Sequence, residues 1–159
     1  MNVCGIDVST HAVDIVKVPL DDGPPHWDRF PLVHPGDAFD RTRQVPLVVP
    51  GPAHSYWDDV IAVGMEEPAG RNPGYAFRVQ GAVLSCVPRD KLVEKLMPSE
   101  WRKAVGLKGN ASKEDVRMFA LAAVRDFAGV DWRAASHDCT DAYCIALATR
   151  SRLVIGDAA

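Results

Sequence analysis

Residues 3–8 read VCGIDV, an apolar run with one carboxylate, Asp7, near its end and the hydroxyls of Ser9 and Thr10 just beyond. So short a run, rich in Val and Ile, reads as a buried strand. An acid inside such a strand is out of place unless it is paired or coordinated, because an ionised group without partners is expelled from an apolar interior. Residues 13–20, VDIVKVPL, read as the next strand, with Val13, Ile15 and Val18 directed to a core. Asp21, Asp22, Gly23, Pro24 and Pro25 then make a turn, and Trp27–Val33 returns as a third strand. Three strands this close in sequence form an antiparallel meander.

Residues 60–65, VIAVGM, form a second strongly apolar strand, and it too ends in acids, Glu66 and Glu67, before Pro68 stops it. Between the meander and this strand, Ala38–Gln44 reads as a short helix, and Pro46, Pro50 and Pro52 are expected to keep the chain irregular from there to Trp57. Residues 73–86 have a helical pattern, with Phe77, Ala82, Val83 and Leu84 supplying apolar surface and Arg71 and Arg78 a charged side. Leu92–Leu96 is a fifth strand, and Pro98, Ser99 and Glu100 open a small helix through Trp101 to Val105. A polar loop, GLKGNASK (106–113), delivers a helix that starts at Ser112 and carries Val116, Phe119, Ala120, Ala123, Val124 and Phe127 on one face, with Gly129 as its stop. A last helix runs from about Cys139 to Arg150 with Asp138 at its N-terminus. The fold class is therefore α/β, with a mixed five-stranded sheet.

The chain has 159 residues, 47% hydrophobic and 25% charged, which fits one folded domain spanning 1–159 and excludes disordered and coiled-coil classes. The longest run without a charged side chain, 44–57, is too short to cross a bilayer and carries three prolines. Asp7, Asp14 and Lys17 interrupt what would have to be the apolar core of a signal peptide, so a cytoplasmic location is expected. Cys4, Cys86, Cys139 and Cys144 form no C-x-x-C pair. His137, Cys139 and Cys144 fall within a helix-forming segment and have no second ligand pair, which weighs against zinc.

The net charge of −3 hides a segregation. Residues 1–70 carry −7, residues 71–117 carry +5 and residues 118–159 carry −1. Acidic flanks around a basic middle suit a metal-dependent nuclease, which needs carboxylates for cations and Lys or Arg for phosphates. Asp138 and Asp141 share one face at the start of the last helix. Taken alone, they read as a cap and its companion. With Asp7 and Glu66 added the balance changes: if their strands are neighbours, four carboxylates converge, and such a cluster repels itself unless cations or protons neutralise it. Two magnesium ions answer that repulsion and can activate water against a phosphodiester.

GIDVS (5–9), VGMEEP (63–68), LKGNASKEDV (107–116) and HDCTDAYCIALA (137–148) together resemble the RuvC-like Holliday junction resolvases of the ribonuclease H-like superfamily, particularly the compact bacteriophage type, mycobacteriophages included. The four motifs stand in the family's order over most of the chain. The resemblance implies a ribonuclease H-like fold, the first three of its five strands antiparallel and the sheet flanked by helices. It also implies a Mg2+- or Mn2+-dependent endonuclease, cutting branched DNA as a homodimer with two ions per active site. Asp7, Glu66, Asp138 and Asp141 match the metal-binding acids, with Glu67 as the adjacent substitute for Glu66. His137 adjoins the Asp138 and Asp141 pair and is a candidate to hold the scissile phosphate or the nucleophile, with a solvated loop histidine as the equal alternative. Lys108, Asn110, Ser112 and Lys113 lie in the family's basic loop and helix start, where they would meet phosphates, with an ordinary capped helix and solvated lysines as the alternative; Arg71 and Arg78 follow the strand that ends in Glu66 and are candidates for a second grip on the backbone. Tyr75 and Phe77 are candidates for base stacking, but core packing is the expectation for both.

Two departures bear on substrate choice. The region before Val60 is proline-interrupted where the family has a regular helix, and Pro68, Ala69 and Gly70 stand where bacterial resolvases carry a base-wedging aromatic. A broader nuclease acting on flaps, forks or single strands is the nearest alternative, and a non-catalytic binder of branched DNA the alternative from another class. A nucleotide-binding domain of the actin and sugar-kinase type is disfavoured, because Ser9 replaces the glycine expected two residues after Asp7.

Overall fold

A computed structural model describes residues 1–9, 11–33, 38–68, 74–125, 127, 132 and 135–156. Five strands, β1 (Asn2–Val8), β2 (Ala12–Pro19), β3 (His26–Pro31), β4 (Val60–Glu66) and β5 (Leu92–Leu96), form one sheet in the order β3-β2-β1-β4-β5. β1, β2 and β3 pair antiparallel, while β4 lies parallel to β1 and β5 parallel to β4. The mixed sheet with an antiparallel meander is thus as the sequence predicts, to within two residues at each strand end. The helices are α1 (Ala38–Val48), α2 (Gly74–Leu84), α3 (Pro98–Ala104), α4 (Lys113–Val124) and α5 (His137–Gly156), with a 3-10 turn at Ser55–Trp57.

Strand alternation divides the core in two. Cys4, Ile6, Val13, Ile15, Val63 and Met65 face one side, where Val45, Val49, Val79 and Val83 of the α1 and α2 region cover them. Val16, Val18 and Leu96 face the other, against α5 and its neighbours Trp101, Val116 and Ala120. α5 crosses β1, β2 and β4, and the sequence makes room for it. A Cβ on Gly5 would lie 1.9 Å from the carbonyl oxygen of Ala142, and one on Gly64 would lie 2.0 Å from Thr149 Oγ1. Only glycine lets the helix backbone come this close to the sheet.

Three expectations need correction. α1 does not end before Pro46 but runs through it to Val48. The proline sits in the last turn, and the adjoining Val45 and Val49 are buried, so packing outweighs one missing backbone hydrogen bond. Phe77 is not a core residue: it is 45% exposed on α2. Asp138 does not cap the final helix. Ser136 does, its Oγ accepting from the backbone N–H of Cys139 at 3.2 Å, and α5 continues to Gly156 rather than Arg150. Gly129, Arg71 and the side chain of Tyr75 lie outside the described residues. The four cysteines are buried free thiols. Among the described residues no helix is long and apolar enough to cross a membrane.

Candidate active site

The parity of the sheet decides which acids meet. Gly5 and Gly64 are register partners beneath α5, and Ile6 pairs with Met65. One step further along both strands, Asp7 and Glu66 therefore emerge side by side on the α5 face. The same face receives the first turn of α5, with His137, Asp138 and Asp141. Glu67 follows the last residue of β4, and its N–H donates to the Leu96 carbonyl at 2.8 Å.

The electrostatics record the convergence. Burial raises the Asp7 carboxyl well above the ordinary range, and the charges of Asp141, Asp138 and Glu66 push it further, with Lys113 opposing. Asp141 is only 5% exposed and is pushed up to about 7, by burial first, with Lys113 and Arg102 pulling back against Glu66 and Asp138. Lys113, the first residue of α4, holds its Nζ 3.9 Å from Asp141 Oδ2. The other oxygen, Asp141 Oδ1, is buried and has no hydrogen-bond partner among the described residues, and the same holds for Nδ1 of His137. An orphaned buried carboxylate oxygen is costly, and its persistence in a cluster of like charges marks a place for a neutralising cation.

Glu66 is held from two directions. Trp101, fully buried on α3, donates its indole N–H to Glu66 Oε2 at 2.8 Å. The side-chain amide of Gln80 on α2 donates to the Glu66 carbonyl at 2.5 Å. Neither residue has a sequence signature for this task, since each reads as an ordinary helix residue and meets Glu66 only through the fold.

All four acids offer hard oxygen donors, a set suited to magnesium or manganese and unlike the sulfur and nitrogen set of zinc. Among the described residues, however, no group of three or more His, Cys, Asp or Glu side chains is arranged to close around an ion. The donors fit a divalent cation by chemistry and by the orphaned oxygen, and not as a preformed cage.

The expected DNA-contacting residues divide. Lys108 and Asn110 are exposed in the loop before α4, Lys113 is 61% exposed by side chain, and Arg78 is exposed on α2. Ser112 is occupied: its Oγ accepts from the Asp115 N–H at 3.1 Å, and its N–H and hydroxyl both donate to Asp115 Oδ2, at 2.9 and 2.7 Å. This capping box holds the Asp115 carboxyl below the ordinary range, through the Ser112 hydroxyl first, and takes up donors that an incoming phosphate would need. Lys108, Lys113 and Arg78, rather than the helix terminus, carry exposed positive charge here, with Lys113 also within reach of Asp141.

Asp14, Trp27, Arg29 and Ser136 are not singled out by sequence pattern, yet they lie against the site. Asp14 is completely buried opposite Asp7 in the β1–β2 register. Its one signal is the same as that of Asp7, an acid inside an apolar strand.

No protein-family model and no curated protein matches this sequence. Solved structures do match. The Thermus thermophilus RuvC structure aligns with a TM-score of 0.67 at 22% identity, covering 98% of this chain and 97% of that one. T. thermophilus RuvC in complex with Holliday junction substrate aligns with a TM-score of 0.63 at 21% identity over 98% and 96%. The fowlpox virus resolvase in complex with Holliday junction DNA aligns with a TM-score of 0.58 at 11% identity over 97% and 99%. The chain therefore has the RuvC-like form of the ribonuclease H-like fold from end to end.

Proposed function

We propose that this chain is a Mg2+- or Mn2+-dependent endonuclease that hydrolyses phosphodiester bonds in branched DNA, with Asp7, Glu66, Asp138 and Asp141 as its metal-binding acids. The observation that carries the reading is the meeting of acids from β1, β4 and α5 on a RuvC-like fold, with a buried Asp141 oxygen that none of the described residues satisfies. Two of the solved structures of this fold hold Holliday junction DNA, which makes the four-way junction the first substrate to test.

Bound there, two divalent ions would activate a water for attack on phosphorus and stabilise the departing oxygen. The chain's own residues prepare the site. Trp101 fixes one oxygen of Glu66, Oε2, and so holds the carboxylate in place. Lys113 offsets the excess negative charge beside Asp141 and, being exposed, can turn to an incoming phosphate. His137 stands one residue before Asp138, where its ring can orient a phosphate oxygen or a water. Lys108 and Arg78 supply exposed positive charge to the strand being cut, and Asn110 an uncharged hydrogen-bonding group. Two active sites on a homodimer would match the twofold symmetry of a four-way junction.

The test is cleavage of labelled four-way junction, flap and linear duplex DNA in magnesium, manganese or EDTA. Paired, metal-dependent nicks in the junction support the reading. Preference for flaps or single strands keeps the chemistry and changes the substrate. Tight junction binding without cleavage under any metal condition points to a non-catalytic binder.

A further inference from the structure

The row of side chains that begins with Glu66 and Asp7 continues across the sheet. Asp7 pairs with Asp14 on β2, and Asp14 pairs with Arg29 on β3, all on the face that α5 covers. Asp14 is fully buried and has two donors: Trp27 Nε1 at 2.9 Å from Oδ1, and Arg29 Nη1 at 3.1 Å from each oxygen. The same Arg29 nitrogen lies 2.8 Å from Ser136 Oγ, the atom that caps α5 by accepting from the Cys139 N–H. Nη1 carries two hydrogens, so one serves Asp14 and the other Ser136. An unbroken chain of hydrogen bonds thus runs from the middle of the sheet to the turn that presents Asp138 and Asp141.

An ion pair around a buried carboxylate is a poor means of stabilising a fold, because an apolar side chain fills the same space without desolvating a charge; here Asp14 is fully buried while Arg29 keeps 37% of its side chain exposed. What this one does achieve is geometric. Trp27 holds Asp14, both oxygens of Asp14 hold Nη1 of the planar guanidinium, and the same nitrogen meets Ser136 at the start of α5. Asp7 is carried on the strand next to Asp14, so the pair ties the two halves of the acidic cluster to a common reference. Two groups of acids that repel each other need such a restraint before any cation is present.

We propose that Asp14 and Arg29 are positioning residues, which through Ser136 set the first turn of α5 at the distance from Asp7 and Glu66 that a divalent cation requires. The inference rests on the reading of those four acids as metal ligands. Groups that orient metal ligands without touching the metal commonly change affinity by about 10–100-fold when removed, and that is the effect expected here.

The experiment measures Mn2+ affinity of the full chain by calorimetry, with junction affinity and the urea midpoint measured alongside. Wild type is compared with Arg29→Lys, Arg29→Gln, Ser136→Ala, the Arg29→Gln/Ser136→Ala double variant and Asp7→Asn. Should Arg29→Gln not fold, Asp14→Asn/Arg29→Gln removes both charges together and takes its place. Mn2+ affinity should fall by at least about tenfold in Arg29→Gln and in Ser136→Ala, with no further tenfold loss in the double variant, because both break one chain of contacts. Arg29→Lys should recover little, since a freely rotating ammonium on a flexible stem is not held in the direction that the guanidinium plane imposes. Junction affinity in EDTA should stay unchanged. If Asp7→Asn loses Mn2+ binding while the Arg29 and Ser136 variants bind it within twofold of wild type, the positioning role is wrong and the metal site stands. If wild type binds no Mn2+ at all, the metal-site reading falls and this inference with it.

Discussion

Asp141 makes the metal-free protein a poorer fold at neutral pH than in mild acid. Its carboxyl titrates at about 7 in the folded chain against an ordinary value of 3.8, chiefly because the group is buried. The folded state therefore holds a proton that the unfolded chain releases. Stability from this group is complete below about pH 4, falls as pH rises and is lost above about pH 7. A difference of roughly three pH units corresponds to about 4 kcal/mol, a large share of the stability of an ordinary domain. Asp7 and Asp14 are also raised, both by burial first, and act in the same direction. Asp59 and Asp115 are shifted the other way, downward from 3.8, so their contributions change below this window and do not mask it. Urea denaturation in EDTA between about pH 4 and 8 should show the wild type weakening across the window. Asp141→Asn should match it near pH 4 and exceed it by a few kcal/mol above pH 7. Adding Mn2+ should restore wild type but not the variant at the upper end. Wild-type stability that is level or rising across the window, with no gain in Asp141→Asn, would refute the reasoning.

Gly5→Ala should destabilise the fold by about 3 kcal/mol or more, since its Cβ would press on the backbone of Ala142 and Ala146 at 1.9 and 2.4 Å; a urea midpoint close to wild type would contradict this. Trp101→Phe keeps most of the buried ring but deletes the donor to Glu66 Oε2, so kcat for junction cleavage should fall about tenfold with DNA affinity unchanged; equal loss in binding and rate would mean a general disturbance. Lys108→Ala should weaken DNA binding and make its salt dependence shallower by about one unit of slope, read from binding isotherms at several salt concentrations.

The acids at the strand ends were legible because a strand has a period of two and an apolar strand rejects a lone charge. That reasoning reaches Asp7 and Glu66, and the shared helix face reaches Asp138 and Asp141. It does not reach Asp14, although VDIVKV poses the same puzzle, because its answer lies in Arg29 fifteen residues on and in Ser136 107 residues beyond that. Long-range partners leave no local pattern. Ser136 and Asp138 are both good caps two residues apart, and only the contact with Arg29 and the geometry of the turn separate them. The helix through Pro46 was hidden for a related reason. A proline's penalty is local, whereas the burial of Val45 and Val49 that offsets it belongs to the whole core. Trp101 and Gln80 carried no hint of their contact with Glu66, which arises where α2, α3 and β4 come together.

The central claim is that the clustered acids are a metal-dependent nuclease site, and the most direct measurement compares wild type with Asp7→Asn on a four-way junction, with binding and cleavage monitored in parallel. On this account Asp7→Asn removes a proposed metal ligand without removing a phosphate contact. The account predicts junction affinity close to wild type and no cleavage in magnesium or manganese. Cleavage by Asp7→Asn at the wild-type rate would contradict it.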